Sequence, residues 1–257
     1  KKSKKNKTEI IPLDSEHYSI SRLLHNHKLD TINKVYLTAS GGPFLNYKLK
    51  QLKRVKLKDT LKHPKWVMGK KITIDSSTLM NKILEFIEAQ KLFNLSRKKL
   101  DIVIHPESLV HAIVDFKNGL QKFIYHETSM IIPIANAIFD KNFHLNEILK
   151  IKKKNKNYIP IKDLTFKNVN AKIFPVIKIK KRLNEHPSTP LIINSSNEIL
   201  VDQFLQKKIP FLSIIKIIMN ILNDRNYKKY AIRSPKNINQ INEINMWAKK
   251  VTLEKIK

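Results

Sequence analysis

Asp14 and Glu16, in the stretch LDSEHYS at residues 13–19, stand two positions apart, with Ser15 between them and His17 following. On an extended chain both carboxylates project to one side, where they repel unless a proton or a cation lies between them. Mg²⁺ or Mn²⁺ suits such a pair, because hard cations take oxygen ligands at short range and keep positions for water or substrate oxygens. The chain has no cysteine, so disulfides, zinc knuckles and thiol nucleophiles are excluded, and any metal falls to carboxylates or histidines. A solvated acidic loop is the plain alternative.

A second group lies further on. Thr78, Asn81, Lys82, Glu85 and Glu88 recur at steps of three and four, which on a helix places an amide, an ammonium and carboxylates on one face. Leu79, Ile83, Leu84, Ile87 and Leu92 form the opposing apolar stripe, so one helix is expected from residue 76 through STLMNKILEFIEAQKLF. Ser76 and Ser77 then stand at its start, where free N–H groups favour an anion. In this reading Ser76, Asn81 and Lys82 bind a phosphate and Glu85 supplies a third carboxylate to the metal. The alternative is a solvated face with an N-cap serine. TASGGPF offers another phosphate loop around Ser40, since paired glycines let backbone N–H groups approach an anion; a simple turn fits it too. In HPKWVMGKK, Trp66 and Met68 are large apolar residues among prolines, glycine and lysines, as in a lid that excludes water or an anchor that pins a loop. His63 is either a phosphate donor or a loop histidine, and His105 either a structural hydrogen-bonding residue or a general acid.

These groups need a scaffold. TEIIPL at 8–13 reads as a short strand delivering Asp14, SEHYSISRLLH as a helix, NKVYLTA as a strand and HPKWVMGKKITIDSS as a loop and extended segment. DIVIH is a strand, and HAIVDFK and QKFIYHE flank Asn118-Gly119, a dipeptide suited to a type I′ hairpin. Residues 1–140 are therefore expected to form an α/β (α+β) domain with a mixed sheet. Residues 141–170, which include the basic LKIKKKNKNYIP, read as a linker, and 171–257 as a small all-helical domain with NAKIFPVIKIKKRLNE interrupted by Pro175. The 257 residues carry a formal net charge of +29. Such a charge raises nucleic acid or another polyanion as a partner. The lysines, however, are spread along the chain with much asparagine and isoleucine, without the arginine and aromatic platforms of a nucleic-acid reader. No apolar run has the length of a bilayer span, so a soluble cytoplasmic protein is expected.

Taken together, DSEH at 14–17, LTASGGPF at 37–44, HPKWVMGKKITIDSSTLMNK at 63–82 with Glu85, HPESLVHA at 105–112 and, more loosely, NSSNE at 194–198 resemble the 1-deoxy-D-xylulose 5-phosphate reductoisomerase family. The resemblance implies that Asp14, Glu16 and Glu85 hold Mg²⁺, Mn²⁺ or Co²⁺ and that Ser15 touches substrate beside the metal. It further implies that Ser40, His63, Ser76, Asn81 and Lys82 bind the substrate phosphate, and that Trp66 and Met68 belong to a lid with Gly69 as a cofactor contact. Glu16, Glu85, His63 and His105 are the candidate catalytic residues. The implied reaction converts 1-deoxy-D-xylulose 5-phosphate to 2-C-methyl-D-erythritol 4-phosphate with NADPH, in a bacterial homodimer. The family's N-terminal NADPH domain has no counterpart here, since Gly41, Gly42, Gly69 and Gly119 are all the glycines and no G-x-G-x-x-G exists. A fragment, inactive without that domain, is expected. A non-catalytic polyanion-binding protein of the same fold is the alternative. Ile83 and TSMIIPI at 128–134 depart from the family's usual glycine and PDMR-x-PI.

Overall fold

The computed structural model describes residues 2–62, 66, 68–139, 143–144 and 163–256. Its principal elements are α1 (Ser15–Leu24), β1 (Ile32–Ala39), α2 (Lys70–Thr78), α3 (Met80–Leu92), β2 (Leu100–Ile104), β3 (Val110–Phe116), β4 (Gln121–Tyr125), α4 (Ile131–Phe139), β5 (Lys167–Asn168), α5 (Thr189–Leu205), α6 (Ser213–Leu222) and α7 (Ile238–Glu254). They divide into two compact units that cross the sequence: 1–39 with 93–167, and 40–92 with 168–257. Most of the linker expected at 141–170 lies outside the described residues.

The first unit is built on a mixed sheet of order β4-β3-β1-β2-β5. β1 pairs parallel with β2, Val35 facing Leu100 and Ala39 facing Ile104, and antiparallel with β3, Leu37 facing Ala112. The parallel pair needs a long crossover, which residues 40–99 supply. Val35, Leu37, Ile102, Ile104, Ala112 and Val114 are buried, and Ile20 and Leu23 of α1 join that core, as the helical spacing of SEHYSISRLLH predicts. TEIIPL forms no strand: Ile10, Ile11 and Leu13 are 65%, 46% and 44% exposed, and β propensity without a pairing partner does not make a strand. The hairpin forms, but its turn is not type I′. Gly119 has φ +85 while Asn118 stays at negative φ, Gly119 N–H donates to Phe116 C=O at 3.0 Å and Phe116 N–H to Leu120 C=O at 2.9 Å. This is a three-residue loop closed by a left-handed glycine.

The second unit is helical. Phe44, Ile74, Met80, Phe86, Ile192, Leu200, Ile214, Ile218 and Ile244 are each fully buried, and Phe44 meets Phe211 edge-on at 5.1 Å. The segment around Pro175 is a 3-10 turn, Pro175–Lys181, since proline removes a donor and clashes inside an α-helix. Two departures from the sequence reading bear on the site. KKITIDSST is a helix, α2, although Ile72, Thr73 and Ile74 favour strands. Gly69 caps it, Thr73 and Ile74 are buried, and the hydroxyls of Thr73, Ser77 and Thr78 donate back to the carbonyls of Gly69 (2.9 Å), Ile74 (2.7 Å) and Asp75 (3.1 Å). Tertiary burial here outweighs a propensity difference of a few tenths of a kcal/mol per residue. The long helix expected from residue 76 is interrupted: Leu79 is left-handed at φ +65, with its side chain 2% exposed. That conformation costs about 1–2 kcal/mol, which burial of a leucine side chain offsets. Ser76 therefore lies near the end of α2, not at a helix start. Within α3 the buried face is Met80, Lys82, Ile83, Glu85, Phe86 and Ala89, so Lys82 and Glu85 turn inward while Leu92 is 45% exposed.

Candidate functional site

In the first unit, Asp14 is the N-cap of α1, and its Oδ1 accepts from the backbone N–H of Glu16 at 3.1 Å and His17 at 3.2 Å. The two carboxylates are thus not alternate residues of a strand. The cap folds back over the first helical turn, and each residue brings a carboxylate oxygen within 4.8 Å of the other's. Position in the first turn favours both charges through the helix dipole. Glu16 is 8% exposed, Ser15 Oγ donates to Glu16 Oε2 at 2.5 Å, and His17 Nδ1 lies 3.3 Å from Asp14 Oδ1. A buried carboxylate beside a half-exposed one is a donor set for a hard cation.

Two residues of this unit escaped the sequence reading. His111 on β3 and His126 after β4 are buried and stacked, with ring centroids 4.2 Å apart. His126 Nδ1 donates to Glu127 C=O at 2.8 Å. Desolvation pushes its imidazole below the ordinary value, against the Glu127 backbone bond and the charges of Glu16 and Glu127. Only the β3–β4 pairing, with Val110 facing Tyr125, brings these rings together, since positions fifteen apart in sequence follow no helical or strand period.

His105 is fully buried, with Nδ1 2.9 Å from Thr165 C=O and 3.0 Å from Glu107 Oε2, while Nε2 accepts from Leu109 N–H at 3.1 Å. Both ring nitrogens are committed to the fold, and the ring stacks on Phe166 at 4.7 Å. Of its two sequence readings the geometry supports the structural one. Desolvation alone raises the Glu107 carboxyl, but the Thr165 hydroxyl bond, two backbone bonds and His105 outweigh it, leaving the pKa below the usual carboxylate value. A lowered carboxylate pKa stabilises the fold above the unfolded value and loses that stabilisation as pH falls through the folded one. Glu107→Gln is therefore expected to flatten the fall in melting temperature below about pH 4.5, and thermal melts from pH 3 to 6 check it.

In the second unit, the loop after β1 runs Ser40-Gly41-Gly42, with Gly41 at φ +82 and Gly42 at φ +58. Gly42 N–H donates to Ser40 Oγ at 3.1 Å. A Cβ on Gly42 would come 3.2 Å from Ser76 C=O and 3.3 Å from Ser77 Cα, so the loop lies directly against the end of α2. Ser40, Ser76 and Asn81 are half-buried. Lys82 is 7% and Glu85 4% exposed, with Lys82 Nζ 2.5 Å from Glu85 Oε2, and Asn81 Nδ2 donates to Glu85 Oε1. Of the expected phosphate contacts, Ser40 thus lies in the loop packed on the end of α2, Ser76 in that end itself, and Asn81 and Lys82 in the first turn of α3. Trp66 and Met68 are half-buried, and Gly69, the cap of α2, has open space where a Cβ would stand. His63 lies outside the described residues.

A family model described as "1-deoxy-D-xylulose 5-phosphate reductoisomerase C-terminal domain" matches residues 10–93, and a second, "DXP reductoisomerase C-terminal domain", matches 126–251. The 1-deoxy-D-xylulose 5-phosphate reductoisomerase of Pelagibacter ubique is 50% identical over 212 residues, covering 82% of this chain and 53% of the relative. That of a Wolbachia of Drosophila simulans is 44% identical over 223 residues, covering 85% and 55%. A solved DOX-P reductoisomerase in complex with NADPH, fosmidomycin and magnesium superposes with a TM-score of 0.86 at 30% identity, over 99% of this chain and 65% of that one. The Zymomonas mobilis enzyme in complex with NADPH gives 0.83 at 28%, over 99% and 64%. The chain spans about half the length of the curated relatives it matches. Among the described residues no helix is long and apolar enough to cross a membrane. With two family models matching most of its length and close likeness in both sequence and fold, the chain belongs to the 1-deoxy-D-xylulose 5-phosphate reductoisomerase family.

Proposed function

We propose that this chain forms the metal- and phosphate-binding part of a cytoplasmic, homodimeric reductoisomerase. Its reaction rearranges 1-deoxy-D-xylulose 5-phosphate and reduces the product with NADPH to 2-C-methyl-D-erythritol 4-phosphate in isoprenoid synthesis. The observation that carries this reading is the buried Lys82 ammonium beside half-buried Asn81 on the first turn of α3, with the Ser40–Gly42 loop packed against Ser76 and Ser77 at the end of α2. A buried cation with half-buried hydroxyl and amide donors nearby suits a dianionic phosphate. Ser40, His63, Ser76, Asn81 and Lys82 hold the phosphate in this reading, and that remote binding energy helps Trp66 and Met68 to cover the reacting carbons.

Asp14, Glu16 and Glu85 are the proposed ligands of a divalent cation. All three offer hard oxygen donors, and Glu16 and Glu85 are buried carboxylates of the kind that a cation stabilises. Bound Mg²⁺, Mn²⁺ or Co²⁺ supplies Lewis-acid polarisation of the substrate carbonyl. Ser15, held on Glu16 by its hydroxyl, positions substrate oxygens, and Glu16 handles the proton that the rearrangement moves. NADPH, when bound, would supply the hydride, and Gly69 would be one of its contacts. The exposed apolar surface of α4, where Ile131, Ile138 and Phe139 are 43%, 68% and 49% exposed, supports a subunit contact in this region.

Electron paramagnetic resonance of Mn²⁺ added to the chain tests the site without any need for turnover. Saturable binding strengthened by fosmidomycin is expected, and Glu85→Gln should weaken it by about tenfold or more, a loss comparable to removing a supporting partner of a ligand. Native-like Mn²⁺ affinity in Glu85→Gln sinks the proposed ligand set.

A further inference from the structure

Asp75 is 2% exposed and Asn197, on α5, is completely buried. Asn197 Nδ2 donates to Asp75 Oδ1 at 2.8 Å across 122 residues of sequence, and Lys71 Nζ lies 2.8 Å from Asp75 Oδ2. A buried carboxylate is tolerated only when its oxygens are satisfied, and here one is held by an amide from a distant helix and the other by a half-exposed lysine one turn away. Asp75 immediately precedes Ser76. Its own carbonyl accepts from the Thr78 hydroxyl, the Ser76 carbonyl accepts from Leu79 N–H at 3.1 Å, and the Thr78 hydroxyl accepts from Met80 N–H at 3.2 Å. A continuous set of bonds thus runs from Asn197 through Asp75 and the left-handed Leu79 to the first turn of α3, which carries Asn81 and Lys82.

We infer that Asn197 is a positioning residue for phosphate recognition: through Asp75 it fixes the end of α2, and so sets the spacing of Ser76 from Asn81 and Lys82. This rests on the phosphate site proposed above. α5 does not touch the phosphate. It holds the last turn of α2 at the height at which the serine hydroxyl and the α3 donors face one anion, and a displacement of that turn by a fraction of an ångström would split them. Gly42, packed on Ser76 and Ser77, would be carried with it. In this way the C-terminal helical segment contributes to the site without supplying a contact to it.

Titration of the full chain with inorganic phosphate, followed by ³¹P nuclear magnetic resonance at a temperature where circular dichroism shows every variant folded, tests the inference. Lys82→Ala serves as the control for the site itself and is expected to abolish saturable binding. Asn197→Leu, which fills the space and removes the donor, is expected to bind about tenfold more weakly, whereas a purely structural Asn197 would lower the melting temperature and leave the affinity of the folded protein unchanged. Should Asn197→Leu not fold, Asn197→Ala is read in the same way. Affinity within twofold of native in the folded Asn197 variant, with Lys82→Ala inactive, overturns the inference and leaves the phosphate site standing. Native affinity in Lys82→Ala overturns the site, and the inference with it.

Discussion

Lys82→Met is expected to destabilise the chain by about 3–5 kcal/mol, the cost of leaving a buried carboxylate without its cation. Glu85 is 4% exposed and its Oε2 lies 2.5 Å from Lys82 Nζ. Methionine keeps the length and apolar stem of the side chain, so the loss is assigned to charge and not to packing. Asn81 still donates to Glu85 Oε1, yet a neutral amide does not compensate a full negative charge in a low-dielectric site. Urea denaturation measures the loss. Because Glu85 is also a proposed metal ligand, millimolar Mn²⁺ should return much of the stability to Lys82→Met, since a ligand that binds only the folded state stabilises it. A mutant with native stability would mean that the Lys82–Glu85 contact opens to solvent, and an Mn²⁺-insensitive mutant would remove Glu85 from the ligand set.

The second large effect is expected at Phe44. Its ring is fully buried, edge-on to Phe211 at 5.1 Å and 4.9 Å from the Tyr47 ring. It ends the turn that begins with Gly41 and Gly42. Phe44→Ala should cost about 3–5 kcal/mol through lost burial and the cavity left behind, measured by urea denaturation. Because Phe44 also pins the Ser40–Gly42 loop, phosphate affinity should fall in the fraction that remains folded. Phe211→Leu, at the other side of the same contact, retains more volume and should cost less than Phe44→Ala. Equal and small losses at both positions would show a core that collapses around the gap.

Much of the site was legible in the sequence, because its elements are local. The step from Asn81 and Lys82 to Glu85 is one helical turn, and the structure keeps those three side chains together as the spacing requires. The strands NKVYLTA, DIVIH, HAIVDFK and QKFIYHE occur where composition and alternation place them. The wrong readings have a common origin. Assigning TEIIPL to a strand and KKITIDSS to an extended segment relied on local preference, worth tenths of a kcal/mol per residue, and assigning residues 76–92 to one helix relied on apolar spacing, which does not register a single left-handed residue. Burial of Thr73, Ile74 and Leu79 is worth more, and it decided a helix for the second segment and a break in the third.

By itself the sequence determined the family motifs, the absence of thiol chemistry and the one-turn spacing of amide, ammonium and carboxylate on α3, since each depends on residue type and short separation. Tertiary structure alone decided that Lys82 and Glu85 face inward, that His111 stacks on His126, and that Asn197 reaches Asp75 across 122 residues. The physical reason is that a helical or strand period specifies which residues share a face, whereas the partner packed against that face is fixed only when distant segments bury their apolar surface together.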